Sequence, residues 1–264
     1  MRLEPQFEGR VPAGAPLPTR ALTDNEVLEN IRWFAGPSPR ARSVRSLVLS
    51  GFTSARLARV SALVAAARDA GSDPVTLHVP VALVDSLPSI DAVISVAVRS
   101  EAEAAAVRKA VRVTLPLDAR GLASLPQVLD SLADPASVTL LWPLPGPGVA
   151  PPPAAAEVVG TIRAALPALA RHQWGVKGLP PCALAPLSSD VPDLSERLRR
   201  SANRWYVDAD HQGAAALTFR PDLVRTAKRD GCRFCAVEPR CEGVAEPWLL
   251  LDLAGPLRPV EVSS

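Results

Sequence analysis

The stretch Ala92-Val93-Ile94-Ser95-Val96-Ala97-Val98, the run Glu101 to Ala110 and the stretch Val111-Arg112-Val113-Thr114-Leu115 read as strand, helix and strand in succession. The first is nearly continuous in apolar and β-branched residues, the pattern of a strand covered on both faces. The middle run is rich in Ala and Glu, strong helix formers. Parallel strands cannot be joined by a tight turn and need such a crossover. Working outward, the same alternation recurs on both sides. Upstream lie a strand at Arg45 to Gly51, an amphipathic helix through Leu57, Val60, Leu63, Val64 and Ala67 to a stop at Gly71, a strand at Val75 to Val79 and a helical turn near Val81 to Leu87. Downstream lie a helix at Leu122 to Leu132, a strand at Val138 to Trp142, a proline-glycine loop over 143–153 and a helix from Ala154 to about His172. Strands alternating with helices define an α/β chain with a helix-covered parallel sheet. An open doubly wound sheet and a barrel, whole or partial, both satisfy that pattern.

The N-terminal part adds a candidate strand at Leu3 to Phe7, an irregular loop at Gly9 to Thr19 and a capping box at Thr23-Asp24-Asn25-Glu26. That box predicts a helix of about a dozen residues through Val27, Leu28, Ile31 and Phe34, ending at Gly36-Pro37. Beyond about residue 180 the periodic pattern gives way to a charged helix around Leu194 to Arg200, a candidate strand at Trp205 to Val207 and a cysteine-rich stretch. The expected organisation is a domain over 1–178 and a small region over 179–264.

Composition narrows the function classes. The chain has 264 residues, 29 basic and 27 acidic, with no block of either sign, so a nucleic-acid surface is not expected. Charged residues or prolines interrupt every apolar run well short of about 18 residues, so no membrane span is expected. Met1 to Gln6 carries no apolar stretch behind Arg2, and the chain is read as cytoplasmic without a secretory leader. No G-x-G-x-x-G follows the first strand and no P-loop motif occurs, which disfavours the common nucleotide-binding sheets.

The four cysteines, Cys182, Cys232, Cys235 and Cys241, all fall in the last third of the chain. Residues 232–241 form C-x2-C-x5-C. Two thiolates three apart reach one ion or one cluster edge from a tight turn, whose backbone N–H groups help hold the negative charge. A reducing compartment disfavours a disulfide, and no strand precedes the pair as a thioredoxin-like site requires. The plainer reading is a set of small buried side chains. Confinement to the one region without regular periodicity favours metal or cluster ligation by all four, and spacing alone leaves tetrahedral zinc and an iron-sulfur cluster level.

At this point the chain resembles the radical S-adenosylmethionine family, in particular members with a C-terminal auxiliary-cluster region of the SPASM or twitch type. The resemblance rests on Leu22 to Glu26, Leu47-Val-Leu-Ser-Gly51 through Gly71, Val176 to Cys182, and Cys232-x2-Cys235-x5-Cys241-Glu-Gly-Val244. It implies a partial (β/α)6 TIM-like barrel of the radical SAM type over 1–178 and a small cysteine-rich auxiliary region over 179–264. It also implies a [4Fe-4S] cluster on Cys182, Cys232, Cys235 and Cys241, with zinc as the alternative. Two departures stand out. The family's C-x3-C-x2-C falls on Gly9 to Thr19, which holds no cysteine, and its G-G-E-P falls on Gly51, Phe52, Thr53 and Ser54, a degenerate S-adenosylmethionine site. Ala245 also stands where a last family cysteine is expected. The resemblance therefore implies a pseudoenzyme for radical chemistry, without bound S-adenosylmethionine, acting as a cluster-bearing partner or scaffold for an active radical SAM enzyme or a peptide substrate. The alternatives are an enzyme using the auxiliary cluster for electron transfer in such a modification pathway, and a zinc-stabilised binding module.

Other chemistry-bearing residues lack motif partners. His78, His172 and His211 are isolated, with His211 the candidate substitute ligand. Asp208 and Asp210 read as a solvated edge pair. Asp118, Arg120, Ser95 and Thr114 read first as helix caps and internal hydrogen-bonding groups rather than cavity-lining ones. Trp142, Trp205 and Trp248 are either rim aromatics or ordinary core.

Overall fold

The computed structural model describes residues 2–4, scattered positions from 23 to 32, 47–49, 52, 54–108, 112–132, 137–143, 150–187, 205–208, 217–219, 226–238, 241, 243–256 and 259. In chain order the elements are β1 (Arg2–Glu4), β2 (Leu47–Leu49), α1 (Ser54–Leu57), α2 (Val60–Asp69), β3 (Val75–His78), β4 (Val93–Ala97), α3 (Glu101–Ala106), β5 (Arg112–Pro116), α4 (Ala119–Ser131), β6 (Ser137–Leu141), α5 (Ala155–Leu169), β7 (Trp174–Lys177), α6 (Pro181–Leu184), β8 (Trp205–Asp208), β9 (Leu217–Phe219), β10 (Thr226–Ala227), β11 (Val244–Ala245) and α7 (Glu246–Leu250). They divide into two compact units, each assembled from separate pieces of sequence.

One unit contains β1 to β4 with β8 and β9. Its strands lie in the order β4-β3-β2-β1-β8-β9, the first five mutually parallel and β9 antiparallel to β8. The register pairs Leu47 with Val75 and His78 with Ser95. Helix α2 crosses from β2 to β3 because Val60, Leu63, Val64 and Ala67 recur on one face and are buried. It ends in a Schellman motif, with Gly71 N–H donating to Arg68 O at 2.8 Å and Ser72 N–H to Ala67 O at 2.9 Å. Arg68 also pairs with Asp73 and Asp91, tying the helix end to the turns that precede β3 and β4. Asn25, Leu28, Glu29, Ile31 and Arg32 are helical as the capping box predicts, and Ile31 is fully buried.

The other unit contains α3, β5 to β7, α4 to α6, β10, β11 and α7. Strands β5, β6 and β7 are parallel, with Leu115 opposite Leu140 and Leu140 opposite Val176. Helix α3 is capped by Ser100, which accepts from Glu103 N–H, while the Glu103 carboxylate accepts from Arg99 N–H at 2.6 Å. Asp118 caps α4 by accepting from Gly121 N–H at 2.8 Å. Helix α5 buries Val158, Val159, Ile162, Ala165 and Leu169. Strand β7 was not expected: Gly175 weakens its β signal, and only Trp174 and Val176 point inward.

The chain is thus an α/β protein whose parallel strands are flanked by helices, as the alternation predicts. The strand pair β8 and β9, although within 179–264, joins the sheet of β1 to β4. The charged helix expected at Leu194 to Arg200 and the loop at Gly9 to Thr19 lie outside the described residues. Among the described residues no helix is long and apolar enough to cross a membrane.

Trp142 and Trp248 are core residues, 0% and 4% exposed, and not rim aromatics. The Trp142 indole N–H donates to Pro153 O at 3.0 Å, and the Trp248 indole N–H donates to Pro143 O at 2.9 Å. Each indole therefore satisfies a proline carbonyl at one end of the proline-glycine loop. Trp142→Ala is expected to cost about 3–5 kcal/mol through the cavity it leaves. Trp248→Phe, which keeps most of the apolar area, is expected to cost only about 1 kcal/mol, the net value of the lost hydrogen bond. Equilibrium urea unfolding of both variants checks the ranking.

Candidate functional site

Cys182 owes its position to the exit from β7. The backbone leaves Lys177 through Gly178, whose φ of +91° is open to glycine and rare for side-chain-bearing residues. A Cβ there would also lie 2.3 Å from Trp142 O. Leu179 is buried, and Pro181 sits in the first turn of α6, where its missing N–H is not needed. Cys182 follows, half-buried, with Leu184 and Leu187 buried beyond it.

The other three cysteines sit on one loop closed by a ribbon. Strands β10 and β11 are antiparallel, Thr226 opposite Ala245 and Ala227 opposite Val244. Between them a 3-10 turn covers Asp230–Phe234, with Cys232 N–H donating to Arg229 O and Cys235 N–H to Cys232 O at 3.0 Å. That turn spans Cys232 and leads directly into Cys235. Cys241 N–H donates to Val237 O at 3.0 Å and to Glu238 O at 3.3 Å. Lys228 spans the loop, its ammonium donating to Glu238 O at 2.9 Å and to a Glu238 carboxylate oxygen at 2.7 Å. Arg229 pairs with Asp252, anchoring the start of the loop to the turn after α7. Ala155 N–H donates to Leu253 O at 2.7 Å, which ties that turn to the start of α5.

Electrostatics link the four thiols. None forms a disulfide. Burial pushes the Cys182 thiol up to about 11, and the charges of Cys241, Cys232 and Cys235 add to the rise against a hydrogen bond from Ala183 N–H. Burial likewise raises Cys241, with Cys232 and Cys235 contributing, while Gly243 N–H and the Lys228 ammonium pull it down. Thiols raise one another's proton affinity only at short range. The structure places Cys182 on α6 and the other three cysteines expected as ligands on the loop between β10 and β11. Among the described residues, however, no three His, Cys, Asp or Glu side chains converge as a ready ligand set for an ion.

The remaining candidates are scattered. His78 is partly buried in β3, its Nδ1 3.4 Å from the hydroxyl of Ser95 on β4. His172 lies in the turn after α5, its N–H donating to Leu169 O at 2.9 Å. Asp118 is a helix cap that also pairs with Arg99 at 2.9 Å, and Arg120 is exposed. Thr114 O accepts from Val98 N–H within the sheet. Asp208 lies on β8 and Trp205 begins it. Of the degenerate site, Phe52 is buried and Ser54 starts α1, whereas Gly51 and Thr53 lie outside the described residues, as do His211 and Asp210.

Sequence reasoning passed over Lys228, Glu238 and the Arg229–Asp252 pair. Lys228 and Glu238 are ten apart on a loop, where no periodicity marks a contact. Phe234, inside the C-x2-C turn, is 72% exposed with the Arg233 guanidinium 4.7 Å above its ring. No protein-family model matches the chain, and no curated protein matches it in sequence.

In the metal-free protein Cys182 is almost wholly the neutral thiol at pH 8, because its pKa lies well above that pH. Its alkylation is expected to lag that of an ordinary cysteine there and to keep accelerating as pH rises toward 11. Mass-spectrometric iodoacetamide time courses across pH check this.

Proposed function

We propose that this chain binds one [4Fe-4S] cluster, or alternatively zinc, through Cys182, Cys232, Cys235 and Cys241, and serves as a partner or scaffold rather than as a radical enzyme. The observation that supports the reading is that all four cysteines are free and half-buried, three of them on one loop closed by the β10–β11 ribbon. They come from two distant stretches of sequence, α6 and the ribbon-closed loop. Burial raises the Cys182 and Cys241 thiols, and a bound cation or cluster would offset that cost by stabilising the thiolates. The donor set is all sulfur, which suits zinc or iron-sulfur chemistry. Backbone N–H groups of Ala183 and Gly243 bond to the sulfurs of Cys182 and Cys241, the outer interactions that a thiolate centre uses. When bound, a cluster would supply electron transfer or rigid cross-linking. The protein's own part is to hold the four sulfurs.

The parallel strands with helical crossovers support the partial barrel that the resemblance implies. A non-catalytic role in radical chemistry rests on the cysteine-free first 181 residues, which leave no C-x3-C-x2-C for a second cluster. Exposed Phe234, Leu250 and Leu251, on and beside the cysteine-bearing segment, favour a protein or peptide partner over a small-molecule substrate.

Anaerobic purification followed by iron, sulfide and zinc analysis tests the site. About four irons and four sulfides per chain with a broad visible band support the cluster. One zinc and no colour would make it a structural site in a binding module. Cys235→Ser is expected to lose the metal and lower the melting temperature, and unchanged metal content would remove these cysteines from consideration. The isolated chain is expected not to cleave S-adenosylmethionine, and release of 5′-deoxyadenosine would overturn the partner role.

A further inference from the structure

We infer that the outer face of α2 and the groove beside it are the contact surface of a symmetric dimer, formed when α2 of one copy lies in the groove of a second copy of this chain. The inference is independent of the sulfur-site reading above. Val60, Leu63, Val64 and Ala67 face inward, and the other side of the helix carries Ser61, Ala62, Ala65 and Ala66 up to Asp69. A helix that meets water on its outer face ordinarily carries charged or long polar residues there. Alanines instead present a thin apolar ridge, and small side chains at a contact let a second helix approach closely.

Beside that ridge runs an open groove of about 470 Å³, lined by Leu28 and Arg32 from the N-terminal helical stretch and by Ala62, Ala65, Ala66 and Asp69 from α2. All of them belong to one compact unit. Arg32 and Asp69 are its only charged lining residues; both are exposed, and neither enters an ion pair among the described residues. Those two charges point to the occupant. A groove bearing one cation and one anion suits a partner that offers one of each, and a second copy does so by symmetry, because a two-fold contact brings the same patch of both copies together. With α2 of each copy seated in the other's groove, the alanine ridge fills the space beside Leu28, and Asp69 of each copy meets the partner's Arg32. A wholly basic or wholly acidic partner would set one of the two charges against its like. Charges arranged in this way fix the register of an interface and reject wrong partners.

Sedimentation velocity on the full chain across a dilution series tests the dimer. Metal content is measured on the same samples, so that loss of the sulfur site and loss of the dimer are read separately. Wild type is expected to be dimeric at about 100 μM, where association of micromolar strength is saturated, and to dissociate on dilution. Arg32→Glu and Asp69→Lys are each expected to weaken self-association by about 10–100-fold, because like charges then meet twice across the two-fold axis. An equimolar mixture of these two variants is expected to dimerise again, each supplying the charge that the other lacks. Ala65→Glu, at an exposed helical position where glutamate is well tolerated, is expected to abolish the dimer with an unchanged circular dichroism spectrum. Wild type that stays monomeric at that concentration would overturn the inference and leave the groove to a different occupant. A dimer that Ala65→Glu leaves intact would overturn it too, since another face must then form the contact. The charge pairing fails if the mixture associates no better than either variant alone.

Discussion

Two buried indole N–H groups hold two proline carbonyls, one just after β6 and one just before α5, with residues 144–149 between them outside the described ones. Trp142, at the end of β6, donates to Pro153 O, and Trp248, on α7, donates to Pro143 O. Prolines cannot donate hydrogen bonds of their own, so a loop rich in them needs donors from elsewhere to satisfy its buried carbonyls. Both tryptophans are buried, so each contributes apolar area as well as a donor. Trp142 also faces the turn at Gly178 from which Cys182 departs. Trp248 follows directly on β11, the strand that closes the loop carrying Cys232, Cys235 and Cys241.

The loop over 228–243 has little apolar material with which to hold its shape. Phe234 faces solvent, and Cys232, Cys235 and Cys241 are only half-buried. Its order comes from backbone hydrogen bonds in a 3-10 turn, a two-residue ribbon pairing and the Lys228–Glu238 bridge. The bridge is partly exposed and contributes modestly by itself. Such a segment gains much from any cross-link. Burial holds the Cys182 and Cys241 thiols above the ordinary thiol range.

Most of the α/β alternation was legible because burial on one or two faces leaves a period. Val60, Leu63, Val64 and Ala67 announce a helix, and Val93 to Ala97 announce a covered strand, without any knowledge of what they pack against. The cap at Asp118 and the stop at Gly71 were readable for the same reason: they act on the nearest backbone groups. Strand β7 escaped because four residues with a glycine among them carry too little pattern. Strand β9 escaped because three residues carry none. The destination of β8 could not be read at all, since its pairing with β1 joins residues some two hundred apart in the chain.

The candidate site divides in the same way. Sequence alone determined which residue types were available: four cysteines, three of them in C-x2-C-x5-C, and a glycine two places after the last. Thiol chemistry and local spacing are properties of the chain itself. Tertiary structure decided how the chain leaves β7 toward Cys182, because that depends on the turn at Gly178 against Trp142, and how the other three are enclosed, because that depends on the ribbon. It also decided that Lys228 bridges to Glu238 beside Cys241, since contacts across a loop follow from where the backbone returns and leave no periodic trace in sequence.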